Sequence, residues 1–257
     1  MPGSEHGREP DRGATIDPSR TLTLGWPEAY NAAGVRRRID RMSELNPIAG
    51  ERLLDVGCGN GSYTTAMAEG FQEIYGVELE PIRLDAFKQA VADAPVGQYH
   101  LYQMSAEALE FPDETFDVVT AIETIEHIED LDRAAVEVHR VLKPGGVFLI
   151  TAPNRWFPVE THSFRIRGKE YPSTRWPFVP WIKPLHRRIS TARNFRPHDL
   201  DDLLLPKGFT RIGVNYMMPQ FERLTSIQWL RPLMNRLEDT WVGNFGVSVI
   251  AAYQRPR

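Results

Sequence analysis

The feature that most constrains the fold of this chain is a glycine-rich turn directly after a short apolar run. Residues 53–61 read LLDVGCGNG, so glycine stands at positions 57, 59 and 61, where a buried strand would pass into a helix. Glycine has no Cβ, so it allows the backbone to turn tightly and to approach a ligand closely. Proteins that bind nicotinamide dinucleotides use the spacing G-x-G-x-x-G. Ser62 and Thr64 occupy the third glycine position in the two registers that start at Gly57 and Gly59, which weakens that interpretation.

Apolar runs and helical patterns alternate from residue 51 onward, and this alternation predicts an α/β fold. It is typical of a mostly parallel sheet with helices on both faces. The apolar runs suit strands that are buried on both faces. The predicted strands are 52–56, 73–78, 98–104, 116–122, 146–152, 209–216 and 246–253. The predicted helices are 62–69, 81–94, 131–142 and 197–205.

Composition and charge exclude several classes of protein. The 257 residues carry 30 Lys and Arg against 34 Asp and Glu, so a globally basic nucleic-acid-binding protein is not expected. The single cysteine, Cys58, cannot form an internal disulfide, which fits a reducing compartment. No apolar run approaches the ~18 residues typical of a membrane span. Residues 1–20 are polar and charged, so they predict a mobile tail and not a signal peptide. We therefore expect a cytoplasmic protein.

Two acidic residues flank the glycine loop at positions suited to a nucleoside ligand. Asp55 lies just before the loop, where a carboxylate would attract an ammonium group more readily than a pyrophosphate. Glu78 ends the second predicted strand, 17 residues after Gly61. An acid at that place can accept hydrogen bonds from both hydroxyl groups of a ribose.

Five segments in a fixed order make the chain resemble the class I S-adenosylmethionine-dependent methyltransferases of the type 11 and 12 group. The resemblance covers roughly residues 51–152, and the ordered set is far more specific than a glycine loop alone. It implies a seven-stranded Rossmann-like sheet and S-adenosylmethionine as the cofactor. The segments are LLDVGCGNG (53–61), YGVELEP (75–81), SAEALEFPDETFDVV (105–119), IEHIED (125–130) and VLKPGG (141–146).

The resemblance also implies which residues bind this cofactor. Asp55 and the glycine loop are expected to hold its amino-acid end, and Glu78 its ribose. Residues 106 and 107 are expected beside the adenine, with residues 122 and 123 along the other side. The implied cofactor-binding residues are Asp55, Gly57, Gly59, Gly61, Glu78, Ala106, Glu107 and Ile122.

A group of acids with a histidine follows the fourth predicted strand. Glu123, Glu126 and His127 have a spacing that places them on one helical face or turn. Two carboxylates and an imidazole, with no thiolate, favour Mg²⁺ or Mn²⁺. The ExxEH pattern is similar to that of metal-dependent O-methyltransferases acting on catechol-like quinone precursors or on the 3′-terminal ribose of RNA. In those enzymes a later histidine helps to complete the site, and His162 is the candidate here.

A catalytic role without metal is the alternative for the two histidines. An alcohol that accepts a methyl group must lose its proton, either to a base or through a metal. His127 or His162 can serve as that general base, with the glutamates shaping the pocket. A purely structural role for His127 is the third interpretation.

Residues 153–196 depart from the alternating pattern. They hold six prolines, eight aromatic residues, and ten Lys or Arg against two Glu. Loops of this length inside a compact domain are usually functional or disordered, and the aromatic content favours function. We predict an acceptor lid inserted after the fifth strand. Its rings suit a sugar face or a lipid tail, and its cations suit a carboxylate or phosphate.

The predicted domain organisation follows from these segments. A tail over 1–20 precedes residues 21–152, which hold an N-terminal helix and the cofactor-binding half of the domain. The lid over 153–196 follows, and residues 197–257 complete the sheet. Apolar residues recur at helical spacing over about 219–242. This stripe predicts a helical insertion that packs on the domain or forms a homodimer.

Three classes of function remain open. The leading prediction is O-methylation of a small molecule or glycan that can be anionic, with divalent-metal assistance; carbon methylation of a quinone or polyketide-like ring is a variant. An RNA methyltransferase is the second class, with the basic, aromatic lid as its RNA-binding groove. Nucleic acid is the less expected partner, because no separate RNA-binding module is recognisable. A degenerate cofactor-binding module is the third class, and the intact loop argues against it.

Overall fold

The computed structural model describes residues 33–95, 97–171, 176–220 and 225–257. The predicted tail over 1–20 lies outside these described residues. No helix within them is long and apolar enough to cross a membrane.

A seven-stranded sheet forms the centre of the molecule and confirms the predicted fold class. Its strand order is β3-β2-β1-β4-β5-β9-β8, in which β9 runs antiparallel to both of its neighbours and the other pairs are parallel. A separate hairpin is formed by β6 and β7. The strands are β1 Arg52–Val56, β2 Glu73–Glu78, β3 Tyr99–Gln103, β4 Phe116–Ile122, β5 Leu142–Pro153, β6 Phe164–Ile166, β7 Lys169–Tyr171, β8 Thr210–Met217 and β9 Ser248–Gln254.

Helices cover both faces of the sheet. The α-helices are α1 Ala33–Ser43, α2 Ser62–Met67, α3 Pro81–Ala90, α4 Leu131–Val141, α5 Lys183–Ile189, α6 Pro197–Leu204 and α7 Arg231–Leu237. Short 3₁₀ helices span Ala68–Gly70, Val179–Trp181, Leu205–Lys207, Thr225–Leu230 and Trp241–Phe245. All four predicted helices end earlier than expected: α2 passes into a 3₁₀ turn after Met67, α3 ends at Ala90, and α4 and α6 each end one residue early.

The core has two layers because successive strand residues point to opposite faces of a sheet. Leu53 packs on one face, in a cluster that includes Met42 of α1. Leu54 packs on the other face, with Val138 of α4 and Leu200 of α6. Since β1 lies between β2 and β4, the chain reverses its direction of travel across the sheet at this point. A crevice at the carboxyl ends of these strands is the usual ligand site of open α/β sheets.

The two ends of the segment over 153–196 contact each other. Phe195 forms a bridge with Asn154, and its N–H donates to the carbonyl oxygen of Pro153 at 2.9 Å. Arg155 donates from Nε to Asn194 Oδ1 at 3.0 Å. The hairpin, the 3₁₀ turn at Val179–Trp181 and helix α5 lie between these ends. The predicted domain boundaries themselves stay predictions.

The apolar stripe predicted over 219–242 is only partly covered. Residues 221–224 lie outside the described part of the chain, and the rest forms 3₁₀ turns around α7. Among the stripe residues that the structure describes, Leu233 is 50% exposed, and Ile227, Leu230, Met234 and Leu237 are only partly buried. The stripe therefore does not form a buried face within the described chain.

Glu238 connects the end of this segment to helix α1. Its buried carboxylate accepts hydrogen bonds from the Arg37 guanidinium and from the backbone N–H of Met218. Arg41, which is also buried, lies 3.8 Å from the same carboxylate. Loss of this buried acid is costly because it breaks the ion pair of Arg37 and the hydrogen bond from Met218, although Arg41 keeps its pairs with Glu44 and Asp239.

We expect Glu238→Gln to lower the free energy of unfolding by about 3 kcal/mol. The exposed pair between Lys88 and Asp85 is the control, and Asp85→Asn is expected to cost less than about 1 kcal/mol. Urea unfolding of both variants and the wild type measures the two effects. Equal losses in the two variants would contradict a structural role for the buried pair.

Candidate functional site

The three loop glycines all have left-handed backbone conformations, with φ of +70° at Gly57, +55° at Gly59 and +83° at Gly61. A Cβ at Gly57 would lie 2.3 Å from Thr124 Cγ2, and one at Gly61 would lie 2.2 Å from the Phe87 ring. These two glycines are therefore required for packing. A Cβ at Gly59 would have no described atom within 4 Å, so this glycine faces open space. Gly59 is the position in the loop where a ligand can approach the backbone.

Asp55 is buried at the end of β1 and is held by two threonines. Thr64 Oγ1 donates to Oδ2 at 2.5 Å, and Thr120 Oγ1 donates to Oδ1 at 2.8 Å. Burial raises the pKa of Asp55 to about 6; the two hydroxyl donors oppose this shift and the charge of Glu78 adds to it. A cationic ammonium group beside Asp55 would stabilise the ionised carboxylate.

Glu78 connects the glycine loop to the turn after β2. Its Oε2 accepts from the Gly59 N–H at 3.0 Å, and its Oε1 accepts from the Glu80 N–H at 2.9 Å. A carboxylate oxygen can accept more than one hydrogen bond, so a ribose hydroxyl can be added to this arrangement. Ribose binding by Glu78 stays a prediction.

The remaining residues predicted to bind the cofactor lie at the same edge of the sheet. Ala106 is buried in the core, after the carboxyl end of β3. Glu107 Oε1 accepts from the Asp130 N–H at 3.0 Å, which ties two loops at this edge together. Ile122 is buried at the end of β4. Their contacts with a cofactor stay predictions.

Glu123 follows β4 with a φ of +50°, a conformation that is strained for a residue with a side chain. Its Oε1 accepts hydrogen bonds from Thr151 Oγ1 at 3.2 Å and Ser248 Oγ at 2.9 Å. Arg38 Nη1 of helix α1 lies 3.1 Å from the same oxygen. The carboxylate of Glu123 is thus engaged by α1, β5 and β9.

Glu126 is buried and its carboxylate is poorly satisfied. Neither of its oxygens has a hydrogen-bond partner in the described part of the chain. Burial raises the pKa of Glu126 to about 8, and the charge of Glu123 adds to that effect. The imidazole of His162 lies nearby, with its Nε2 3.8 Å from Oε1. Buried carboxylates without partners are rare, because the lost hydration is not replaced.

His127 and His162 stand beside this carboxylate. Their rings meet edge to face with centroids 5.1 Å apart. Burial lowers the pKa of His127 to about 3, with the charge of His162 as the next cause. Burial also disfavours the charged form of His162, but Glu160 and Glu126 outweigh it and raise the pKa of this ring.

These three side chains can hold one ion between them. One ligand atom from each of Glu126, His127 and His162 lies within 4.8 Å of the other two. The structure therefore brings together three of the four residues predicted as metal ligands. The fourth, Glu123, lies close enough to influence Glu126 electrostatically, while its Oε1 is held by other groups. One carboxylate and two imidazoles, with no thiolate, suit Mn²⁺ better than Mg²⁺, because Mg²⁺ prefers oxygen ligands.

Two residues at the site were missed by reasoning from the sequence. Glu160 is buried beside His162, and its Oε1 accepts from the N–H groups of Thr161 and His162 at 2.9 Å each. His186 of α5 contacts Oε2 of the same carboxylate. Although burial opposes it, the two histidines lower the pKa of Glu160 to about 2. The available signal was weak: Glu160 is one of two acids in a basic segment and stands two residues before His162.

The sequence matches a protein-family model described as "Methyltransferase domain" over residues 54–150. This range holds the glycine loop, both flanking acids and the ETIEH segment. The match agrees with the resemblance drawn from the motifs.

Curated relatives extend the similarity beyond this range. The chain is 29% identical over 250 residues to a ubiquinone biosynthesis O-methyltransferase of Psychrobacter arcticus, covering 95% of this chain and 87% of that protein. It is 33% identical over 156 residues to the enzyme of the same name from Pseudomonas fluorescens strain SBW25, covering 57% of this chain and 65% of that protein. Both relatives are named as O-methyltransferases.

A solved structure supports the fold. An S-adenosylmethionine-dependent methyltransferase from Mesorhizobium loti superposes with a TM-score of 0.57 at 20% identity, covering 83% of this chain and 95% of that one. At this identity the similarity concerns the fold alone.

We expect Gly59→Ala to weaken S-adenosylmethionine binding about tenfold or more, because its methyl group would fill the open space in front of the loop. Backbone strain alone costs about 1–2 kcal/mol at a left-handed position. Gly97→Ala is a matched control, since Gly97 has a φ of +85° and a Cβ there would likewise have no described atom within 4 Å. Calorimetry on both variants separates the effects. Equal affinities in the two variants would contradict a ligand at Gly59.

A second prediction concerns pH. Because the pKa of Asp55 is about 6 in the folded chain and its ordinary value is 3.8, the folded state holds a proton that the unfolded state has lost between these values. The contribution of Asp55 to stability therefore falls as pH rises from about 4 to about 6. Asp55→Asn is expected to be more stable than the wild type at about pH 7.5, by on the order of 2–3 kcal/mol, and to lose most of this advantage near pH 4.5.

Urea unfolding of the wild type and Asp55→Asn at the two pH values measures this difference. The same variant should bind S-adenosylmethionine more weakly, since an amide replaces the carboxylate beside the ammonium group. A stability difference independent of pH would show that Asp55 is not the titrating group.

Proposed function

This chain belongs to the class I S-adenosylmethionine-dependent methyltransferases, and we propose that it methylates a hydroxyl group on a small molecule. S-adenosylmethionine supplies the methyl group as a sulfonium, and the transfer is an in-line displacement that depends on alignment and on a dry site. The names of the curated relatives support oxygen as the methylated atom.

The buried carboxylate of Glu126 carries this proposal. Its two oxygens have no hydrogen-bond partner among the described residues, and they lie beside two imidazoles at the carboxyl end of β4. Such a group either keeps its proton, as its raised pKa indicates, or is stabilised in its ionised form by a donor or cation from outside the described residues. An acceptor hydroxyl, alone or with a divalent cation, supplies what the site lacks.

Glu126, His127 and His162 would hold Mg²⁺ or Mn²⁺, and Glu123 remains a proposed fourth ligand. A divalent cation at this place would lower the pKa of an acceptor hydroxyl and orient its oxygen. Two adjacent hydroxyl groups, as in a catechol, match such a site best. In the rival account, His127 or His162 accepts the hydroxyl proton as a general base and the glutamates shape the pocket.

The other residues of the site have two roles, which are binding of the methyl donor and covering of the acceptor. The backbone at Gly59, with Asp55 and Glu78, binds and orients the methyl donor. Ala106, Glu107 and Ile122 enclose the rest of that donor. The segment over 153–196 covers the acceptor and excludes water.

The acceptor is proposed to carry a negative charge or an aromatic ring. Trp156, Phe178 and Trp181 of the lid are 43–51% exposed, and the last two rings lie 4.9 Å apart. Several lid cations are used within the chain: Arg165 pairs with Glu170 at 2.7 Å, and Arg193 donates to the Glu129 carbonyl oxygen at 3.1 Å. The remaining cations would attract a carboxylate or phosphate. A glycan acceptor is the alternative within this class.

Assembly and location also remain proposals. The exposed apolar residues of the 219–242 stripe suit a homodimer, and the cytoplasm suits an enzyme with one buried cysteine.

We expect EDTA to abolish methyl transfer and added Mn²⁺ or Mg²⁺ to restore it. Transfer of a tritiated methyl group to 3,4-dihydroxybenzoate, which has adjacent hydroxyls and a carboxylate, provides the assay. 4-Hydroxybenzoate, with a single hydroxyl, is the matched control substrate and should be methylated far less. Glu126→Gln should lose the metal rescue while its affinity for S-adenosylmethionine stays within about twofold of the wild type.

Full activity in EDTA would end the metal hypothesis and favour the general-base account. In that case the general base is identified by comparing His127→Gln with His162→Gln, because only the variant that lacks the base should lose turnover. Methylation found on ring carbon would instead contradict the assignment of oxygen as the acceptor atom.

A further inference from the structure

Glu160 is the buried one of the two acids in the lid, and its carboxylate contacts the next two residues, Thr161 and His162. Its Oε1 accepts from the N–H groups of Thr161 and His162 at 2.9 Å each. The same oxygen lies 3.5 Å from Nδ1 of the His162 ring. Glu160 thus contacts both the backbone and the side chain of His162.

The other carboxylate oxygen connects this segment to helix α5. His186 Nε2 contacts Glu160 Oε2, and both side chains are almost fully buried. His186 follows Glu160 by 26 residues, so this contact joins two parts of the lid that are distant in sequence. The carboxylate of Glu160 therefore cannot rotate away from His162 without losing its contact with His186 of α5.

The opposite side of the His162 ring faces the candidate site. Nε2 lies 3.8 Å from Glu126 Oε1, and the ring meets that of His127 edge to face. An ionised carboxylate only accepts hydrogen bonds. When Glu160 is the partner of Nδ1, that nitrogen carries the proton and Nε2 presents its lone pair to the space beside Glu126.

We propose that Glu160 is a positioning residue, which is braced by His186 and fixes the ring of His162 with its Nε2 lone pair directed at the site of Glu126. This inference rests on the proposed function of His162 at that site. Histidine ligands of metals commonly donate their second ring N–H to a carboxylate, which sets both the tautomer and the orientation of the ring. The arrangement of His186, Glu160 and His162 has this form, with the brace supplied by a helix of the lid.

Thr161 offers a rival arrangement. Its Oγ1 lies 3.2 Å from His162 Nδ1, and a hydroxyl can either donate or accept. If the hydroxyl donates to Nδ1, the proton of the neutral ring lies on Nε2, and that nitrogen cannot bind a cation. The tautomer of His162 therefore distinguishes the two arrangements.

The tautomer is read in the metal-free wild type from long-range ¹H–¹⁵N correlations, with histidine labelled in ¹⁵N and the pH set so that the ring is neutral. Signals of His162 are assigned by their loss in His162→Gln. The expected result is a proton on Nδ1, and Thr161→Val should leave it there. A proton on Nε2 in the wild type would overturn the proposal, and this result requires no variant at Glu160 that must fold.

Binding of Mn²⁺, followed by electron paramagnetic resonance, tests the consequence. Glu160→Gln keeps the size of the side chain and is expected to weaken Mn²⁺ binding about 10- to 100-fold. Glu170→Gln is the matched control, because it removes the other lid acid, which pairs with Arg165 and Ser163, and should leave Mn²⁺ affinity unchanged. Equal losses in the two variants would show that lid charge, and not positioning of His162, sets the affinity.

Failure of the proposed metal site has a different signature. If the wild type binds no Mn²⁺, the metal site fails, while a proton on Nδ1 that exchanges faster in Glu160→Gln still supports positioning of the ring for a general base. Unchanged exchange at Nδ1 in a folded Glu160→Gln would contradict the positioning role.

Discussion

Burial of carboxylates at the carboxyl ends of β1 and β4 is the constraint on which the rest of the site depends. Asp55 and Glu126 both lie in the protein interior, where an ionised acid loses the hydration it has in water. The chain compensates Asp55 with two threonine hydroxyls, one from α2 and one from β4. It gives Glu126 no comparable donor among the described residues. The ionised form of Asp55 is therefore partly stabilised before any ligand arrives, although burial still raises its pKa to about 6. The ionised form of Glu126 is left to be stabilised by what binds.

The glycine loop shows a similar division between packing and binding. Gly57 and Gly61 allow the loop to lie against Thr124 and Phe87, so these two positions serve packing within the protein itself. Gly59 alone among the three faces open space, and the N–H of the same residue is held by Glu78. The backbone that would approach the ligand is thus fixed from the side of β2. A loop that is already fixed loses little conformational entropy when the methyl donor binds.

The central strands β1, β4 and β9 could be predicted because each is a nearly continuous apolar run that is buried on both faces. The edge strands β3 and β8 contain polar residues and are mostly exposed or half-buried. β1, β2 and β4 have the predicted bounds, whereas the ends of helices differ by a few residues because their last turns are weakly determined. The neighbours of Glu123 could not be predicted, since Arg38 and Ser248 come from elements far away in sequence. The contact between Glu160 and His186 could not be predicted for the same reason, because the two residues are 26 positions apart and local sequence patterns do not indicate such contacts.

The lid and the candidate site cannot be considered as separate parts. His162 belongs to the lid, yet its Nε2 faces Glu126, which follows a strand of the central sheet. Arg193 strengthens this connection, because its backbone N–H donates to the carbonyl oxygen of Glu126 at 3.2 Å. Both contacts depend on the folded lid, since one comes from near its beginning and the other from near its end. A lid that opened as a rigid body would therefore withdraw His162 from Glu126. If residues 153–196 cover the acceptor as proposed, the acceptor would enter either through a gap in this segment or before His162 has reached its place. In the second case His162 would arrive together with the segment that is proposed to exclude water.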